Sequence, residues 1–407
     1  MILFVLLSLI AVSFVLAGWA LWARRLERWR ITAPLFLVLA GAVVEYTTHG
    51  SLADTLNTEI AEHVAEIILA VLLFVDANDV RGGFFGSHPR SAMRLLFIAL
   101  PLSIAISMLL GLWLLPTTSW ATVLVIACVV VPIDFAPAES IPRDQRIPGR
   151  VRDVLNVEAG YADGIVAPTF LFALALASEH LEAKTPLHSL GLAVAEAVMA
   201  IVVGLCVGAG LAVAANFSER RGVMTEQSKR LILVAAPALS YTVSLWVEGN
   251  GFVAAFVCGI AFKIFRHSPD IRSELKLIDD IGFLLTAAMW FVFGGVVLIA
   301  YWSAGLSIGV VVFCLLALTI VRIVPVLLAM VRSRVSWGER LLIGWLGPRG
   351  TPSIVFGLLA FNVLDGGAEH AVLLTMVVVV LGSVVIHGVG APLAAHAYAR
   401  SQTKLSA

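Results

Sequence analysis

The sequence predicts an all-helical polytopic membrane protein of about thirteen transmembrane helices, with inverted repeats and two crossing discontinuous helices. Three observations carry that fold class. The 407 residues are 60% hydrophobic and only 13% charged, with a mean hydropathy of +0.98. Of the 27 lysines and arginines, 24 fall in one alternating set of loops, the other three being Lys184, Arg322 and Arg349. Two apolar runs of opposite direction are interrupted by proline and glycine around a charged residue.

Composition also excludes classes. Formal net charge is zero, which suggests no nucleic-acid partner. The four cysteines, Cys128, Cys206, Cys258 and Cys314, sit in apolar runs, and their spacing fits neither a disulfide framework nor a zinc site. No cofactor motif is present, so none is expected. The partners expected are small ions and the lipid bilayer.

Apolar runs of spanning length fall at roughly 2–23, 31–47, 60–79, 94–115, 121–140, 154–178, 190–215, 231–246, 250–264, 278–300, 305–330, 340–360 and 371–397. The first carries no charge before Arg24 and Arg25, whereas a cleaved leader places its charge ahead of the apolar run. It reads as a retained first span. The eighth and ninth runs are short and separated only by Glu248–Asn250. Basic loops face the cytoplasm, which puts the N-terminus outside and the C-terminus inside a plasma membrane, expected to be a bacterial inner membrane. No loop exceeds about 15 residues and the tail is about ten. Residues 1–407 therefore read as a single transmembrane domain without a soluble regulatory domain.

The first interruption reads PIDFAPAES, with Asp134 between Pro132 and Pro137. Proline removes a backbone donor and frees carbonyls, so the helix should break beside the acid. The following run, VLNVEAGYADGIVAP, carries Glu158 and Asp163 on either side of Gly160. The second interruption is GWLGPRGTP, where Gly347, Pro348, Gly350 and Pro352 surround Arg349. Two breaks of opposite direction in the two halves mark an inverted-repeat secondary transporter with a midplane site. Broken helix, carbonyls and carboxylates together suit a small hard cation or a proton.

A carboxylate at membrane depth costs several kcal/mol unless paired, protonated or solvated, so each is a candidate. Asp134 and Asp163 are the primary ion-binding acids; their alternative is a structural pair with Arg349 or Arg322. Glu158 reads as either a ligand or the fixed partner of Arg349, and the partner role is favoured. Arg349 cannot lose its charge and serves as a permanent counter-ion. Asp76, four residues from a basic loop, is a site acid or an interface residue. Arg322, before Pro325, lies close enough to the cytoplasm to snorkel. Glu59, Glu62, His63 and Glu66 share one face near the outer end of their helix, either a solvated helix start or an acidic funnel. Glu196 is expected to hydrogen-bond between helices. His387 is expected to be a packing residue.

These segments resemble the monovalent cation:proton antiporter superfamily, specifically NhaP-type sodium/proton exchangers, over nearly the whole chain. That family carries Thr-Asp-Pro in its fifth span, Glu-Ser/Ala-Gly-x-Asn-Asp in its sixth and Gly-x-Arg-Gly in its twelfth. Here they stand as Ile133-Asp134-Phe135, Glu158-Ala159-Gly160-Tyr161-Ala162-Asp163 and Gly347-Pro348-Arg349-Gly350, and Gly251–Phe262 also resembles a family span. The resemblance implies that Asp163 is the central cation and proton carboxylate with Asp134 beside it. It implies too that Glu158 and Arg349 form an ion pair holding the broken helices, and that the protein is a homodimer. Three residues depart: Ile133 for a ligating threonine, Ala162 for asparagine and Phe135 for proline. The acids survive while two neutral side-chain oxygens are lost, so proton handling is better supported than sodium selectivity.

The expected activity is antiport of a monovalent cation, sodium first and potassium or lithium next, against protons by alternating access. A proton-coupled carrier of another substrate and a channel-like cation pathway are the alternatives. An enzyme is not expected: Asp134 and Asp163 lack the Tyr-Asp and Gly-x-Gly-Asp settings of intramembrane aspartyl proteases, although Pro237-Ala238-Leu239 matches a tripeptide of theirs.

Overall fold

The computed structural model describes residues 2–29, 31–48, 59–80, 82–138, 141–178, 186–268, 270–303 and 307–406. Among them every regular element is a helix. The loop cations Arg30, Arg81 and Lys184, and the side chain of Glu59, lie outside the described residues.

The helices in chain order are α1 (Ile2–Arg28), α2 (Ala33–Thr48), α3 (Glu59–Asp79), α4 (Pro89–Leu114), α5 (Trp120–Val130), α6 (Gly149–Ala177) and α7 (Pro186–Arg220). There follow α8 (Glu226–Trp246), α9 (Gly251–Phe265), α10 (Ile271–Ser303), α11 (Ile308–Ala329), α12 (Trp337–Trp345), α13 (Thr351–Val363) and α14 (Ala368–Ser406). Among the described residues six are long and apolar enough to cross a membrane: α4, α6, α7, α10, α11 and α14. Shorter apolar helices are α2, α5, α9 and α13.

Short loops leave helix ends close together, and the sequence caps them locally. Ser119, Thr225 and Ser307 each accept a backbone N–H of the following turn, opening α5, α8 and α11. Ser336 and Glu339 form a reciprocal capping box at α12. Asn250 caps α9 through Phe252 and Val253, and together with Glu248 at φ 56° it keeps α8 and α9 separate. α9 packs between α3, α7 and α8, and α2 runs along α10. α5, α6, α13 and α14 enclose the place where the chain is interrupted.

Both expected interruptions are present. α5 ends at Val130, before Pro132, and helix does not return as a continuation. Among the described residues only two 3₁₀ turns follow, Ala136–Ala138 and Ile141–Arg143, because Pro132, Pro137, Pro142 and Pro148 remove donors all along this stretch. The second break is more symmetrical. α12 ends at Trp345, residues 346–350 are not helical, and α13 restarts at Thr351 with Pro352 in its first turn.

Candidate functional site

The two breaks cross and bond to each other. The Asp134 N–H donates to the Pro348 carbonyl at 2.8 Å. In return the Thr351 N–H donates to Asp134 Oδ2 at 2.6 Å, so Asp134 caps α13 from the opposite break. Its other oxygen, Oδ1, accepts the Ala136 N–H at 2.9 Å. Gly350 is required here, since a Cβ at that position would collide with the Asp134 carboxylate.

Arg349 is fully buried. Its Nη1 donates across the crossing to the Pro132 carbonyl at 3.1 Å, and its backbone N–H donates to Ser383 Oγ at 2.6 Å. Ser383 in turn contacts His387, whose ring also meets the Trp345 carbonyl. His387 is thus a satisfied packing residue.

The expected Glu158–Arg349 pair does not form. Glu158 is held bidentately by Arg322, through Nη1 to Oε1 and Nη2 to Oε2 at 2.8 Å. Arg322 does not snorkel; it is 4% exposed and also donates to the Ile343 carbonyl. The reason is the break in α11 at Thr319, whose φ of −121° and ψ of −83° interrupt the helix ahead of Arg322. Among the described residues no carboxylate oxygen lies within ion-pair distance of Arg349, although Glu158 and Asp163 are its charged neighbours.

Asp163 differs from both other acids. It is buried on α6, and its Oδ1 has no hydrogen-bond partner. Asp76 and Asp134 are its acidic neighbours. Asp76 reaches it because α3 and α6 touch at Gly160, where a Cβ would meet the Asp76 carbonyl at 2.8 Å. The structure therefore places Asp76 beside Asp163. The Ser353 hydroxyl in the first turn of α13 is buried and unpartnered as well.

The remaining sequence candidates divide. Ile133 packs in an apolar cluster with Leu95, Val326, Ile343 and Leu346. Ala162 is buried in the main core beside Tyr161 and Val166. The Glu196 side chain is exposed, and it is the backbone carbonyl that bonds toward another helix, accepting the N–H of Asn250, the residue that caps α9, at 3.2 Å. His63 is exposed, 3.8 Å from Glu66. Sequence reasoning gave no role to Thr351 and Tyr161. Thr351 follows Gly350 and supplies the N–H that Asp134 caps. The Tyr161 hydroxyl donates to the Phe84 carbonyl at 2.7 Å and ties the α3–α4 loop to α6. Tyr161 sits inside the Glu158–Asp163 motif, which was a signal for it.

With this geometry in view, comparison with known proteins is decisive for the family. The profile of the transmembrane sodium/hydrogen exchangers matches residues 10–395. The chain belongs to the sodium/hydrogen exchanger family. This exchanger-family chain is 25% identical over 370 residues to a K(+)/H(+) antiporter NhaP of Alkalimonas amylolytica, covering 88% of this chain and 61% of that protein. It is 24% identical over 324 residues to a probable Na(+)/H(+) antiporter of Schizosaccharomyces pombe, covering 75% of this chain and 42% of that protein. The chain thus spans less than two thirds of either relative's length. Its fold matches the sodium proton antiporter MjNhaP1 from Methanocaldococcus jannaschii, with a TM-score of 0.75, 20% identity, and 94% and 99% of the two chains covered.

Proposed function

We propose that this exchanger-family chain is a secondary antiporter, trading a monovalent cation for protons across the bilayer by alternating access. One observation carries the reading: a buried carboxylate, Asp163, has an unpartnered oxygen beside Asp76 and Asp134 at the crossing of two interrupted helices. A buried acid with an open valence takes a proton or a cation, and each neutralises the charge that would hold the other. The relatives include both a probable Na(+)/H(+) antiporter and a K(+)/H(+) antiporter, and sodium comes first here. Ligands would come from Asp163, Asp134, Asp76 and the carbonyls freed at the breaks, since Ile133 and Ala162 offer no side-chain oxygen. In this reading Glu158–Arg322 and Arg349 hold the helices that carry the acids.

The reading includes a single transmembrane domain of thirteen crossings in a bacterial inner membrane, the N-terminus outside and the C-terminus in the cytoplasm, assembled as a homodimer. The 24 basic residues confined to one loop set support the orientation. A cytoplasm-specific reporter fused after Ala407 should be active; silence there would reverse it.

The test of function is purified protein in liposomes carrying a pH gradient. Sodium, potassium or lithium, added separately, should collapse the gradient. A gradient unmoved by all three would refute the antiport reading.

A further inference from the structure

A cavity of about 720 Å³, lined by none of the residues of the crossing, gathers five arginines: Arg90, Arg94, Arg150, Arg332 and Arg334. They come from three separate places, the start of α4, the start of α6 and the turn after α11. Gathering five positive charges is unfavourable unless anions compensate them. No carboxylate lines this cavity, and among the described residues none of the five forms an ion pair. Asp153 stands 3.8 Å from His88, which also lines the cavity.

Two of the arginines build the site. Arg94 donates to the Val331 carbonyl at 2.7 Å, and Arg150 to the Arg334 carbonyl at 3.0 Å, fixing the turn. The side chains of Arg90, Arg332 and Arg334 are exposed and have no bonded acceptor among the described residues. Arg332 is held at φ 60°, a left-handed conformation that a side-chain-bearing residue adopts at a cost. The planar donor fork of arginine matches a phosphate, and several unpaired forks in one cavity suit its recognition.

The cavity also has an apolar wall. Met93, Phe97 and Ile98 of α4 line it and are 38%, 58% and 50% exposed. Phe97 and Ile98 sit in a π-turn, Leu95–Ala99, that rotates this face of α4. Depth decides what covers the wall. α4 begins at Pro89, α6 begins at Gly149 and α11 ends at Ala329, so three membrane-length helices terminate around the cavity. That is the level where hydrocarbon gives way to headgroups.

We infer that this cavity is a binding site for an anionic phospholipid, its phosphate on Arg90, Arg332 and Arg334 and its acyl chain along Met93, Phe97 and Ile98. The inference is independent of which ion is transported. The site joins α4, α6 and the end of α11, so an occupied cavity clamps together helices that also carry Asp163 and Arg322.

The experiment uses the full chain in detergent, titrated with dioleoyl phosphatidylglycerol, dioleoyl phosphatidylcholine or inorganic phosphate. Thermal midpoint and lipid retention in native mass spectra are read out. Phosphatidylglycerol should bind at least about tenfold tighter than phosphatidylcholine and raise the midpoint. The triple change Arg90→Gln, Arg332→Gln, Arg334→Gln should weaken phosphatidylglycerol binding about a hundredfold. A control removing equal charge elsewhere, Arg24→Gln, Arg272→Gln, Lys276→Gln, should leave it intact. If the triple variant fails to fold, Arg90→Gln alone should weaken binding about fivefold. Undiminished selectivity in the arginine variants would overturn the site. Equal protection by millimolar inorganic phosphate would overturn the lipid assignment in favour of a soluble anion.

Discussion

Glu158 and Asp163 stand five residues apart on α6, both buried and both acidic, yet the structure treats them in opposite ways. Both oxygens of Glu158 are taken by the Arg322 guanidinium. Asp163 keeps an oxygen with no partner and has two further acids as neighbours. A satisfied buried pair fixes geometry; an unsatisfied buried acid is a group left free to bind something. Burial alone does not separate the two roles. The state of each acid's hydrogen bonds does.

The largest effect expected from this contrast is on stability. Arg322→Ala strands the Glu158 carboxylate in the core, and losing one partner of a buried pair costs about 3–5 kcal/mol. Glu158→Gln in the same chain should recover part of the loss, because the stranded charge is then gone. Unfolding of the two single variants and the double variant measures the coupling, and strictly additive losses would break the pair assignment.

Asp163→Asn should invert that pattern. Removing an unpaired buried charge leaves stability equal or higher, while gradient collapse in liposomes should fall at least tenfold, about 1.4 kcal/mol in barrier terms. Exchange persisting at wild-type rate would move the working acid to Asp76 or Asp134. Clear destabilisation would instead make Asp163 structural, like Glu158.

Much of this contrast was legible in the sequence and its decisive part was not. Pro132, Pro137, Pro348 and Pro352 announce the breaks because a missing N–H is a local property. Asp134 and Asp163 announce themselves because acids are rare in apolar runs. The partner of Glu158 could not be read the same way. Arg322 and Arg349 both lie inside apolar runs, and choosing between them depends on the kink at Thr319, which sets Arg322 against α6. Asp76 reaches the site only through the close approach of α3 at Gly160, a tertiary fact. Likewise, Thr351 gains its role from the opposite break, 217 residues away in sequence.

The smallest expected effect tests whether pairing or burial makes Glu158–Arg322 costly to break. Asp144 and Arg146 form a comparable multi-point pair in the loop before α6, with Nη2 to Oδ2 at 2.7 Å and Nε to Oδ1 at 3.0 Å. Arg146 is 47% exposed, so water competes for it throughout. Exposed pairs contribute about 0–1 kcal/mol, good bidentate geometry placing a pair toward the upper end. Asp144→Asn should therefore cost less than about 1 kcal/mol and leave exchange unchanged. The hydrogen bonds from Arg146 hold the Asp144 carboxyl below the usual carboxylate range. A lowered value means the stabilisation is present above the unfolded-chain value of about 3.9 and disappears as pH falls below it. Thermal midpoints of wild type and Asp144→Asn should thus differ slightly at neutral pH and converge as the medium is acidified through that range. A loss at neutral pH as large as that of Arg322→Ala would mean geometry, not burial, sets the cost, and the contrast between Glu158 and Asp163 would need a different physical basis.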